Sequence, residues 1–163
     1  MKLFFFYLLQ WTWGLSQNIV GGIGYLALRK KHRSESYHGA RVMYIDTDKR
    51  FGGVSIGMFV FIKADAEAGW THDTRIHEVG HCVQSILLGP LYWIVVALPS
   101  VLWCNLPVFR KHHNTRETSH NYYKLYCEGW ANTWGVAWTG DDFISERTLK
   151  GAYYGKPWDS RKK

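Results

Sequence analysis

The chain has 163 residues, a length that suits one domain. It is 47% hydrophobic and 17% aromatic, with 9 Trp, a composition that suits a membrane interface, where Trp and Tyr sit at headgroup level. The formal net charge is +7 with no helix-turn-helix, RNP-like or finger motif, which sets nucleic acid aside in favour of membrane lipid; three cysteines without a Cys-x-x-Cys pair set aside a secreted disulfide scaffold.

From the N-terminus, Met1 to Leu28 is apolar and long enough to span a bilayer. Gln10, Gln17, Asn18 and four glycines suit contact with other helices better than contact with lipid. No small-x-small cleavage site follows the apolar start, and Arg29-Lys30-Lys31-His32-Arg33 stands directly behind it. By the positive-inside tendency that end is cytoplasmic. The expectation is an uncleaved apolar membrane helix within residues 1–33, closed by a basic stop, with residues 34–163 as a cytoplasmic domain held at the membrane. A helix buried in the protein is the alternative.

Ser34 to Ala40 reads as a polar linker and Arg41 to Asp46 as a strand. Thr47 to Arg50 has turn chemistry. Gly53 to Lys63 reads as a second strand, with Gly57 marking a bulge or a close backbone approach. Ala64 to Trp70 reads as a loop.

Thr71 to Gly89 predicts a helix. Asp73 or Thr74 is placed to cap it, Val79, Cys82, Val83, Ile86 and Leu87 give it a buried side, and Gly89-Pro90 ends it. Inside it lies His77-Glu78-Val79-Gly80-His81, a complete H-E-x-x-H. Positions i and i+4 share a helix face, so both imidazoles can hold one metal ion. Glu78 is then placed to take a proton from a water on that metal.

Pro90 to Phe109 is almost wholly apolar and carries Pro90, Pro99 and Pro107. A single crossing there would put His81 and Glu128 on opposite sides of a bilayer, so a shared metal requires the segment to turn back. Each arm around Pro99 has about ten residues, roughly 15 Å as helix, which suits a shallow dip into one leaflet or packing against the N-terminal helix. Arg110 to Ser119 reads as a basic loop. His120 to Gly135 predicts a second helix, on which Asn121, Leu125, Glu128, Ala131, Asn132 and Gly135 share one face. An acid on that face is costly to bury without a metal or a cation. Asn132, one turn on, is placed to orient a metal-bound imidazole.

Together, H-E-V-G-H at 77–81 and E-G-W-A-N at 128–132 resemble the gluzincin pattern of zinc metallopeptidases, whose second helix carries E-x-x-A-D or a close variant. The short interval and small size resemble the minigluzincins. The membrane-leaning flanks resemble a group of uncharacterised small bacterial zincin-like membrane proteins. The resemblance covers two helices, residues 73–135. It implies a small α+β, zincin-like domain of a short β-sheet, an active helix and a glutamate helix. It implies that His77, His81 and Glu128 bind zinc (Zn2+) and that Glu78 is the general base in hydrolysis of a peptide or protein substrate. Asn132 stands where gluzincins commonly carry Asp, so the partner of the imidazole brings no charge. For the group that stabilises the oxyanion, Lys124, His120 and Tyr122 are the candidates. The rival reading is a non-catalytic membrane-associated module whose zinc is structural, closed by a fourth ligand from His112, His120 or Cys127.

Overall fold

Strand pairing builds the frame of the computed structural model, which describes residues 1–47, 51–64, 66–113 and 119–145. β1 (Arg33–Tyr37) and β2 (Ala40–Ile45) pair antiparallel around His38 and Gly39, both at positive φ. β3 (Gly53–Ile56) and β4 (Phe59–Lys63) pair antiparallel around Gly57, and β4 runs parallel to β2. The order β1-β2-β4-β3 leaves β3 at an edge. Paired residues point to the same side of a sheet. Gly53, Ser55, Val60 and Ile62 therefore share one face with Val42 and Tyr44, while Phe59 and Phe61 share the other with Met43.

Helices cover both faces. α1 (Lys2–Trp11) and α2 (Leu15–Leu28) form an N-terminal pair. α2 lies on the Phe59 and Phe61 side, with Gly22 and Gly24 against those rings and Tyr25 5.4 Å from Phe59 between ring centres. α3 (Ala68–Leu88) lies on the opposite side, where Thr74 and Glu78 abut Gly53. A 3-10 turn (Gly89–Leu91), a π-helical turn (Trp93–Ala97), α4 (Leu98–Asn105) and α5 (Pro107–His113) follow. A second 3-10 turn (Ser119–Lys124) leads into α6 (Tyr126–Thr139), which packs on α3. The architecture is α+β, with a mixed sheet of four strands between helices.

The structure corrects the N-terminal expectation. Met1 to Leu28 is not one continuous membrane helix: it breaks between Trp11 and Leu15, and no single helix among the described residues is long and apolar enough to cross a membrane. Buried amides bind the two pieces to the body. The Gln10 amide donates to the Cys82 carbonyl at 3.1 Å, the Gln17 amide donates to the Gly89 carbonyl, and Asn18 Oδ1 accepts the Met58 N–H at 2.8 Å. Phe6 joins the core of the sheet.

Other boundaries move for local reasons. The expected linker at Ser34 to Ala40 contains strand β1, whose polar residues pair through the backbone. The expected single strand Gly53–Lys63 is a hairpin, because Gly57 at φ +64° turns the chain hard against Asn18. α3 starts at Ala68, and Asp73 does not cap it: its two carboxylate oxygens accept the N–H groups of Ile144 and Ser145, at 2.8 and 3.0 Å. The second helix starts only at Tyr126, because Leu125 is extended (ψ 131°). The apolar segment after α3 does not fold into two arms around Pro99: the helical run Trp93–Asn105 continues through that residue, and the bend lies before it, where the runs Ala68–Leu91 and Trp93–Asn105 meet at 120°.

α3 and α6 touch backbone to backbone. A methyl group at Gly80 would overlap the Ala131 carbonyl, and one at Gly135 would overlap the Ile76 carbonyl. Gly80→Ala is therefore expected to destabilise the fold by about 3 kcal/mol, a fall in Tm of about 6–12 °C at this size. Gly52→Ala, with nothing within 4 Å of the added carbon, serves as the control. Equal thermal melting of the two variants would contradict the close approach.

Candidate metal centre

Helical spacing puts His77 and His81 one turn apart on the buried side of α3, with ring centres 4.8 Å apart. Glu128 faces them from the first turn of α6, fully buried, where the helix dipole favours a negative charge. Its Oε2 lies 3.1 Å from His77 Nε2 and 3.4 Å from His81 Nε2.

Two amides set the rings. His77 Nδ1 stands 2.8 Å from Asn132 Oδ1, and His81 Nδ1 stands 2.6 Å from Gln84 Oε1. An amide oxygen only accepts, so each Nδ1 carries a proton and each Nε2 faces the space beside Glu128, where a metal would take the place of a second proton. The orientation of Gln84 is itself fixed, because its Nε2 donates to the Cys127 carbonyl at 2.7 Å.

The donor chemistry fits a cation. The two Nε2 atoms stand at ion-pair distance from Glu128 without hydrogen-bonding to it, and neither carboxylate oxygen has a hydrogen-bond partner. A fully buried carboxylate in that state is expensive without a positive charge. The donor atoms of His77, His81 and Glu128 all lie within 4.8 Å of one another. Four ligands around a zinc-sized ion stand about 3.3 Å apart, given bond lengths of about 2.0–2.1 Å, and the two nitrogen–oxygen distances bracket that spacing. The cluster could hold a metal ion.

In the same site, burial pushes Glu128 upward, but the imidazoles outweigh it and hold its carboxyl well below the usual range. Burial pulls His81 down, yet Glu128 beside it pushes the ring up to about 9. Glu78, next along α3, is buried and moves the other way: burial raises its pKa against the opposing pull of His77 and His81. Glu78 Oε2 is buried with no hydrogen-bond partner.

A cleft of about 550 Å³, counted with the solvent at its mouth, opens beside Glu78 and His81. Gly53 to Ile56 of β3 form one wall, and Tyr92, Trp93, Val96 and Val101 give the other an apolar lining. The Tyr92 hydroxyl donates to the Ser55 carbonyl at 3.3 Å and ties the two walls together.

The structure thus gathers five predicted residues: His77, Glu78, His81, Glu128 and Asn132. Of the three oxyanion candidates, Tyr122 lines the cleft; burial, then the charge of Glu128, hold its phenol well above the ordinary range. Lys124 is exposed and does not line the cleft. The side chains of His112 and His120 lie outside the described residues. Cys127 turns its thiol to the Val96 carbonyl, 4.0 Å away, and joins no metal cluster among the described residues. Gln84 is the residue that sequence reasoning missed. Its signal was an amide on the buried side of the helix, three residues after His81, where side chains meet.

Family models, curated proteins and solved structures yield no match to this chain.

Purified His81→Ala and Glu128→Ala are each expected to lose bound metal by elemental analysis. Gln84→Ala is expected to keep the fold by circular dichroism and to bind metal about 10–100-fold more weakly. Undiminished metal in both ligand variants would dismiss the site.

Proposed function

We propose that this chain is a zinc-dependent metallopeptidase of the gluzincin type, which hydrolyses peptide bonds with an activated water. One observation carries the reading: Glu78, whose Oε2 is buried without a hydrogen-bond partner, lines a cleft together with His81, and His81 belongs to a donor set completed by His77 and the buried carboxylate of Glu128. Zinc held by His77, His81 and Glu128 would supply Lewis acidity and a water acidic enough to ionise near neutral pH.

The chain's own groups do the rest. Glu78 takes the water's proton as general base and returns it to the leaving amine. Its raised pKa suits a group that must carry that proton between the two steps. Asn132 and Gln84 accept from Nδ1 of the two imidazoles and fix their orientation, so that each Nε2 is the atom turned to the metal. The Tyr122 phenol, kept protonated by its surroundings, supplies a hydrogen bond to the developing oxyanion. β3 is an edge strand that lines the cleft, where an extended peptide adds as a further strand. This geometry favours peptide over other acyl substrates.

Glu78→Gln is expected to retain zinc and to lose at least about 10²-fold in kcat, since an amide does not accept the proton. The readout is a quenched-fluorescence peptide library, with metal content measured on the same sample. Full activity in the zinc-loaded variant would rule out Glu78 as the base. Tyr122→Phe is expected to lower kcat about 10²-fold with KM nearly unchanged; an equal rise in KM instead would assign the ring to substrate binding.

A further inference from the structure

The N-terminal helix pair is built inside out. Facing the body it buries the amides Gln10, Gln17 and Asn18. Facing outward it exposes large apolar residues, among them Phe4, Leu8, Ile19, Ile23 and Leu26. The segment after α3 does the same with Leu91, Ile94, Leu98 and Leu102. The two surfaces adjoin: Trp13 packs on Gly89, and Trp93 Nε1 donates to Ser16 Oγ at 3.0 Å. Contiguous apolar surface on this scale is foreign to a monomer in water.

Charge names the occupant. No acidic residue occurs in residues 1–34 or 79–116. Arg29, Lys30, Lys31 and Arg33 stand exposed just beyond α2, and Lys111 stands exposed on α5 beyond the second apolar stretch. A second copy would bring the same cations against these, whereas anionic headgroups complement them. No single described helix is long and apolar enough to cross, and the one bent pair that passes the same test, Ala68–Leu91 with Trp93–Asn105, has the largely buried α3 as its first arm, which favours a surface laid along the membrane.

We propose that the outward faces of α1, α2 and the Leu91–Leu102 segment enter one leaflet of an anionic bilayer, with Arg29, Lys30, Lys31 and Arg33 at its headgroups. The inference goes beyond the peptidase reading and does not depend on metal or hydrolysis.

The test uses the full chain with Cys104→Ser, leaving the buried Cys82 and Cys127 in place. Single cysteines at Ile23→Cys, Ile94→Cys and Thr133→Cys carry an environment-sensitive fluorophore. Ile23 is 64% and Ile94 68% exposed, while Thr133 is exposed on α6, across α3 and the sheet from α2. The labelled chains are diluted from detergent into vesicles of phosphatidylcholine and phosphatidylglycerol at about 7:3, an anionic fraction of the kind basic clusters bind. Probes at 23 and 94 are expected to shift to the blue and to resist aqueous iodide, while the probe at 133 stays accessible. Partitioning is expected to fall at least about tenfold in pure phosphatidylcholine or in the folded variant Lys30→Glu/Lys31→Glu. Iodide access at 23 and 94 in the anionic vesicles would overturn the proposal. So would shielding of those probes without lipid together with a doubled mass, which would assign the surface to a second copy.

Discussion

Everything at the candidate metal centre depends on how closely α3 and α6 approach. Gly80 and Gly135 let each backbone rest on the other at two points. Only at that distance does Glu128 reach the two imidazoles borne by the facing helix. The same contact is laced by amides running in both directions. Asn132 reaches from α6 to His77, and Gln84 reaches from α3 to both His81 and the Cys127 carbonyl. Each amide aims an imidazole and fastens the helix pair in one stroke, so ligand geometry and helix packing are one structural fact.

Two buried glutamates in this small volume have opposite characters. Both would be pushed toward the neutral form by burial alone. Glu128 escapes because the imidazoles face it directly, and it keeps its charge. Glu78 receives the same charges less effectively, and burial prevails. The environment separates a carboxylate suited to hold a cation from one suited to accept and release a proton, although the side chains are identical.

How much of this was legible in the sequence varied with the kind of signal. The i, i+4 spacing of His77 and His81 and the one-turn step from Glu128 to Asn132 are helical regularities, and the structure keeps them on facing sides of two helices. Gln84 broke no pattern, because one amide among apolar residues has meaning only once its partner on another helix is known. β1 was hidden for a related reason: an edge strand held by backbone bonds needs little hydrophobicity. The N-terminal stretch misled through addition. Hydropathy sums apolar residues along a line, but Gln10, Gln17 and Asn18 each had a backbone partner elsewhere in the chain, and those three bonds fixed where the stretch folds, although Gln10 Oε1 and Asn18 Nδ2 stay buried without a partner. Gly57 was marked as unusual, and it closes a tight turn against Asn18.

The run from Trp93 to Leu102 serves two surroundings at once. Trp93, Val96, Ala97 and Ser100 face the cleft, while Ile94, Leu98 and Leu102 face outward. The two sets interleave, separated only by rotation about the axis. A helical residue turns the chain by about 100°. Inserting or deleting one residue after Tyr92 would therefore carry outward side chains into the cleft and cleft side chains out, while leaving the composition almost unchanged. The segment tolerates a change in side-chain size better than a change in length, a constraint on gaps rather than on residues.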